Sequence, residues 1–334
     1  MTMPPQSSHH RPCPDCQADA SLDRRRFLTT VGTTALSAFV VPQVLNRVAY
    51  AAPSPQSAAE TTVARFYQSL TPEQRRVIVL PFEHELRHKI NANWHVTKPT
   101  IGEDFYTSAQ RQMIREILQH TTSPDGFERI LKQLEDDSGG LEFYSVGIFG
   151  TPGAGKFEFM ITGRHLTLRA DGDSVEHAAF GGPIVYGHGA ETPKENLFYY
   201  QTQQVNEVFK ALDGRQRERA LLDKAPRETD VALQGPRGAF AGIPLRELSA
   251  DQKVLVEQTL KVLLAPYRQE DVDEVMAILR ESGGLDHLHL AFYRQDDLEK
   301  DQVWDIWRVE GPNFVWHFRG APHVHAYINI GVKS

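Results

Sequence analysis

The sequence predicts an α+β protein built from two pseudo-repeated halves, each made of helices followed by antiparallel strands, packed as one compact unit. Three observations predict it: an internal repeat, apolar residues at helical spacing, and later runs that alternate with a period of two. Leu70-Thr71-Pro72-Glu73-Gln74-Arg75 matches Leu212-Asp213-Gly214-Arg215-Gln216-Arg217, and Ser108-Ala109-Gln110 matches Ala250-Asp251-Gln252 at the same spacing. Asp137-Ser138-Gly139-Gly140-Leu141-Glu142 matches Glu281-Ser282-Gly283-Gly284-Leu285-Asp286, and Gly163 matches Gly311, the spacing drifting slightly as loop insertions allow. The halves expected are residues 52–190 and 191–334.

In chain order, residues 60–80 and 204–223 carry helical periodicity, as in Val63, Phe66, Leu70 and Val77. Second helices are expected at 107–120 and 249–265, with Thr107-Ser108 and Leu248-Ser249 as caps, and third helices at 125–136 and 269–281. The Ser-Gly-Gly ends the third helix, because glycine tolerates the left-handed conformation of a helix terminus. Strand-like runs follow: Leu141–Phe149 and Phe157–Leu168, then Leu285–Phe292, Val303–Trp307 and Asn313–Phe318. Helices should therefore cover a largely antiparallel sheet.

Ahead of this lies a leader. Ser21-Leu22-Asp23-Arg24-Arg25-Arg26-Phe27-Leu28 is a twin-arginine signature, followed by a mildly apolar stretch to Val41 and the small-x-small Ala49-Tyr50-Ala51. Residues 1–51 read as a signal peptide cleaved before Ala52, which predicts passage through the twin-arginine translocase to the periplasm or another extracytoplasmic space. The whole chain has a net charge of −7, and the leader holds more cations than acids, so the remainder is more acidic still. Nucleic acid, whose phosphates demand a basic face, is excluded as a partner. Cys13 and Cys16, the two cysteines, also lie in the leader, where with His9 and His10 they make at most half a zinc site. Any metal in the rest of the chain must rest on His, Asp or Glu.

His323-Val324-His325 opens an alternating run: Val324, Ala326, Ile328 and Ile330 fall on one face, His323, His325, Tyr327 and Asn329 on the other. Side chains at i and i+2 of a strand can converge on one ion, whereas a wetted polar face is the plainer reading. His165, after Gly163-Arg164, occupies the repeat-related strand position and is also expected on a polar face. His287, His289, His317 and Arg164 could support such a centre, although single histidines are more often core or edge residues. His177 and His188 flank a Gly-rich loop that could edge a pocket.

Two motifs compete. His84-Glu85-Leu86-Arg87-His88 has the H-E-x-x-H form of zinc peptidases, in which both histidines share a helix face and the glutamate activates water. Pro81 precedes it, Arg87 fills a position usually uncharged, and no third ligand follows at familiar spacing. Gly150-Thr151-Pro152-Gly153-Ala154-Gly155-Lys156-Phe157 lacks the hydroxyl residue of a phosphate-binding loop and reads as a hairpin turn.

Several of these segments together resemble a bacterial family catalogued as domain of unknown function 3500. They are Arg87 with Trp94, Ile148-Phe149-Gly150, Gly163-Arg164-His165-Leu166, Phe180-Gly181-Gly182-Pro183, Leu248-Ser249-Ala250-Asp251-Gln252, Gly311-Pro312 and the His323-Val324-His325 strand. The resemblance covers roughly residues 60–330 and implies that His165, His323 and His325 belong to one constellation. It departs at Arg164, where the family reads His, and at the chain's end, where relatives run on. Glu85 and His88 are outside the shared pattern.

The function expected is thus an exported protein holding a transition metal, Zn or Cu, through His165, His323 and His325, in the service of hydrolysis or oxidation–reduction. The alternatives are a non-enzymatic extracytoplasmic module for a small-molecule ligand, and a zinc metalloprotease using His84, Glu85 and His88.

Overall fold

A computed structural model describes residues 52–190 and 192–332; the predicted leader, with Cys13 and Cys16, lies outside the described residues. The first predicted helix is in fact two, α1 (Ala58–Ser69) and α2 (Pro72–Ile78). Leu70 and Thr71 are extended, because Pro72 disfavours helical backbone before it and Thr71 begins a new capping box with Gln74. Strand β1 (Val79–Leu80) follows, then α3 (Ser108–His120) and α4 (Pro124–Ser138). The remaining helices are α5 (Tyr199–Ala211), α6 (Gly214–Ala220), α7 (Ala250–Leu264) and α8 (Gln269–Glu281). The predicted helix over 204–223 likewise divides, at extended Leu212, with Asp213 capping α6. Thr107–Gln110 and Ser249–Gln252 are capping boxes as well, and the Gln74 amide meets that of Gln110 at 2.9 Å just as Gln216 meets Gln252 at 3.1 Å.

The other strands are β2 (Ser145–Gly150), β3 (Phe157–Gly163), β4 (Leu166–Ala170), β5 (Ile184–His188), β6 (Leu221–Leu222), β7 (Ile243–Pro244), β8 (His289–Tyr293), β9 (Ile306–Gly311), β10 (Phe314–Arg319) and β11 (Val324–Ile330). Among the described residues they form one 11-stranded sheet in the order β1-β2-β3-β4-β5-β11-β10-β9-β8-β6, with β7 beside β8. The sheet is antiparallel except for β1 with β2 and β6 with β8. At its middle β5 and β11 pair antiparallel, Tyr186 opposite Ala326.

Alternation decides what each face buries. Val146, Ile148, Ile161, Leu168, Trp316, Ala326 and Ile328 join residues of the helices, such as Phe66, Ile114, Leu134 and Leu263, in the main core. The opposite face is covered by irregular chain. Trp94 and Val96 pack on Phe149 and Met160, and Ala92 meets Val231 over Val185 and Tyr327. Glu158, wholly buried there, takes ion pairs from Arg169 and Arg87. No helix among the described residues is long and apolar enough to cross a membrane.

Candidate metal centre

The run read as a single strand over Phe157–Leu168 is broken by Arg164 and His165. His165 does not lie on a strand face: it sits in the tight β3–β4 connection with φ 57°, a left-handed conformation. Its backbone is held by His165 N–H donating to the Ala92 carbonyl at 2.5 Å, and its neighbour by the Tyr144 hydroxyl donating to the Arg164 carbonyl at 2.8 Å. Gly163 lets that ring approach, since a Cβ there would stand 2.2 Å from Tyr144 Cδ1.

His323 and His325 arrive from the other side of the β5–β11 seam. His325 lies on β11 opposite Gly187 and Arg319, and His323 immediately precedes the strand. Neither faces bulk water: His325 is 1% exposed, His323 6% and His165 0%. Their ring centroids lie 4.7–5.2 Å apart, and one ligand nitrogen from each ring falls within 4.8 Å of the others. Among the described residues this is the one such group of histidines and carboxylates.

Carboxylates orient two of the rings. His165 Nδ1 meets Asp137 Oδ2 at 2.7 Å, and His325 Nδ1 meets Glu228 Oε1 at 3.1 Å. With Nδ1 so engaged, Nε2 is the nitrogen of each ring able to face a shared ion, and a carboxylate on the far nitrogen fixes ring orientation and raises basicity. His323 Nε2 and His325 Nε2 are 2.9 Å apart. At metal–nitrogen bonds of about 2.0–2.1 Å that separation subtends about 90° at the ion, and opening to roughly 3.4 Å would give a tetrahedral angle.

Burial sets the charge state. It pushes His323 down to about 2, aided by the neighbouring His325 and His165, and holds His325 well below the usual range. Both rings are therefore neutral at physiological pH, the form that coordinates a metal. Burial opposes ionisation of Asp137, yet His165, His188 and the Gly189 N–H hold its carboxyl below the ordinary value.

Asp137 and Glu228 escaped the sequence reading. For Asp137 there was a signal: Glu135, Asp136 and Asp137 crowd the C-terminal turn of α4, which has no basic residue, against the helix dipole. Asp137 holds His165 and Asp136 holds His188, Oδ2 to Nε2 at 3.2 Å. Glu228 comes from irregular chain, where it also accepts from Tyr327 Oη at 3.1 Å and pairs with Arg319 Nε at 3.0 Å; nothing in the pattern marks it.

The other predicted histidines go elsewhere. His287 is exposed in a 3-10 turn, so the expected alternating pair with His289 is not formed, and His289 stands on β8 beside Phe240. His317 is buried on β10, opposite Tyr327, with Nδ1 lacking a hydrogen-bond partner. Arg164 adjoins His165, and its charge is felt at His325. His188 lies at the end of β5 as a buried partner of Asp136, and His177 sits in the preceding loop. His84 and His88 do not share the face of a long helix: Glu85–His88 is one 3-10 turn, and His84 Nδ1 caps it by accepting from Leu86 N–H. Gly150–Phe157 forms the β2–β3 turn, as expected.

Fold and centre together define an α+β protein with three buried histidines gathered at the middle of one mixed sheet. The family described as Protein of unknown function (DUF3500) matches residues 53–328, and the chain belongs to that family. No curated protein and no solved structure matches the chain.

Proposed function

We propose that the protein is an exported metalloprotein whose ion is held by His165, His323 and His325. The observation that carries this reading is the pairing of His165 with Asp137 and of His325 with Glu228 around a common point. Buried imidazoles backed by carboxylates are costly to assemble for stability alone, and such carboxylates are the usual outer support of a metal ligand. Imidazole donors suit Zn or Cu. Such an ion supplies Lewis acidity for hydrolysis or, where redox-active, electron transfer.

The twin-arginine leader supports passage through its translocase and work in the periplasm, because that route carries proteins folded with their cofactors. Two like halves, residues 52–190 and 191–334, also belong to this reading. The paired capping boxes, the equivalent Gln–Gln contacts and a strand order that reads alike from either edge to the β5–β11 seam support an ancestral duplication. On it, one half contributes His165 and the other His323 and His325.

Titration of chelator-treated protein with Zn and with Cu tests the assignment. Binding of one equivalent with a rise in thermal midpoint is expected, and the paired His323→Ala and His325→Ala changes should abolish it. Identical titration curves for the wild type and that double variant would overturn it. A second reading, a ligand-binding module without catalysis, is favoured by a separate cavity beside β8 and β9.

A further inference from the structure

Between α8 and the chain that joins β4 to β5 lies a small cavity of about 280 Å³, apart from the three clustered histidines. Asp173 and Glu176 line it from the β4–β5 connection, and Glu274 and Glu281 from α8, where with Ile278 they share one helix face. The lining thus holds four carboxylates and neither lysine nor arginine. Three of the four are exposed, but Glu274 is only 7% exposed, and among the described residues it has no hydrogen bond and no ion pair. The cation it feels, Arg268, is taken by Glu60 and Asp271 at 2.8 and 2.9 Å. Burial, with Asp271, Asp171 and Asp173, raises Glu274 to about 8 while the chain before Ala52 is intact. A buried carboxylate in that state is costly, so the cavity calls for a cation.

Ala52 belongs to the same wall. The residues after it are held in place. Pro53 is buried, Pro55 N would lie 3.0 Å from a Cβ at Gly172, and Ser57 Oγ donates to Glu270 Oε1 at 3.0 Å in the first turn of α8. Ala52 is also the residue that the small-x-small Ala49-Tyr50-Ala51 makes the first of the mature chain. With the Ala51–Ala52 bond intact it offers the cavity only an uncharged amide. A bare divalent ion fits less well: among the described residues no three of these lining groups bring ligand atoms within 4.8 Å of one another, whereas calcium gathers about six to eight oxygens.

We infer that removal of the leader creates the cation this cavity lacks: the new α-ammonium of Ala52 docks on the Glu274 carboxylate, with Asp173, Glu176 and Glu281 around it, and latches the mature N-terminus onto α8. A signal peptidase adds one water across the Ala51–Ala52 peptide bond. The new carboxyl group on Ala51 gives up its proton and leaves with the leader, and the new amine on Ala52 gains a proton. One neutral amide beside Glu274 becomes a positive group with three donors. Maturation thereby completes the packing of the first residues, and the uncut chain lacks that contact. The inference rests on the export reading of the leader and is independent of the metal reading.

The test starts from the full chain expressed with its leader and recovered after export. Mass spectrometry should find a mature chain that begins at Ala52. Its α-amine is then labelled with acetic anhydride at neutral pH, in the folded protein and in the same protein unfolded in urea. The folded amine should react about tenfold or more slowly, as a raised amine pKa of one unit requires. Glu274→Gln, which keeps the shape and removes the charge, should bring the folded rate close to the unfolded one. Acetylated Ala52 should lower the thermal midpoint by about 2 °C or more in the wild type and leave that of Glu274→Gln unchanged. Where Glu274→Gln does not fold, the comparison of free and acetylated wild type carries the test. A chain that keeps its leader, or begins elsewhere, would overturn the inference together with the predicted cleavage. A chain that begins at Ala52 but labels at the unfolded rate, or labels slowly in Glu274→Gln as well, would overturn the inference alone. So would a midpoint raised by calcium in the wild type and not in Glu274→Gln while the amine labels at the unfolded rate, since the cavity would then belong to a bare cation.

Discussion

Asp137 Oδ2 lies 2.7 Å from His165 Nδ1, and both side chains are almost wholly buried. The carboxylate reaches the ring from the last turn of α4, while the ring stands in a left-handed turn between two strands. A buried acid is thus spent on the orientation of one imidazole. Replacing it by asparagine keeps a similar shape but removes the charge. Asp137→Asn should lower metal affinity about 10–100-fold, measured by competition against a chelator. Unchanged affinity would separate Asp137 from the centre.

Gly163 is expected to couple packing to the same centre. A Cβ would fall 2.2 Å from the Tyr144 ring, whose hydroxyl holds the Arg164 carbonyl beside His165. Gly163→Ala should cost about 1–3 kcal/mol in denaturant unfolding and weaken metal binding as well. A loss of stability with metal affinity intact would show that the turn tolerates a displaced Tyr144.

The Glu158 carboxylate is wholly buried between Arg169 and Arg87. Glu158→Ala leaves two guanidinium groups without that partner, and should destabilise the chain by about 3–5 kcal/mol in denaturant unfolding. Glu116→Ala, which breaks the exposed pair with Arg65, should cost no more than about 1 kcal/mol. Similar losses for the two variants would contradict the burial argument.

Stability should peak between mildly acidic and neutral pH. Burial raises Glu274 to about 8 and Asp171 to about 7, each above its unfolded value. The folded chain therefore holds protons that the unfolded chain releases, and stability falls as pH rises from the unfolded values through 7 and 8. His317 acts in the opposite sense. Burial lowers it from 6.5 to about 3, so stability is lost as pH falls below 6.5. Thermal midpoints of the metal-free protein should drop between about pH 6.5 and 8.5, and Glu274→Gln should flatten that drop. An equally steep drop in the variant would show that Glu274 does not carry it.

Local signals made much of the fold legible. The periodic run over 269–281 is a helix over those same residues because Val275, Ile278 and Leu279, at helical spacing, are buried in the core. His323 and His325 were readable because alternation places His325 opposite the face that buries Val324 and Ala326. His165 was found for a partly mistaken reason. A turn between two short strands carries the same alternation as one long strand, and the left-handed φ of a histidine leaves no mark in the sequence. Leu70 and Leu212 hid helix breaks, since each continues an apolar period while its backbone is extended. Glu228 was not legible: long-range packing of irregular chain, not spacing, brings it to His325 and Tyr327.

Elemental analysis of the full chain purified without chelators tests the central claim most directly, with a variant carrying His323→Ala and His325→Ala prepared alongside. The account predicts close to one equivalent of a single transition metal in the native protein and almost none in the variant. Less than about a tenth of an equivalent in both, or equal amounts in both, would contradict it.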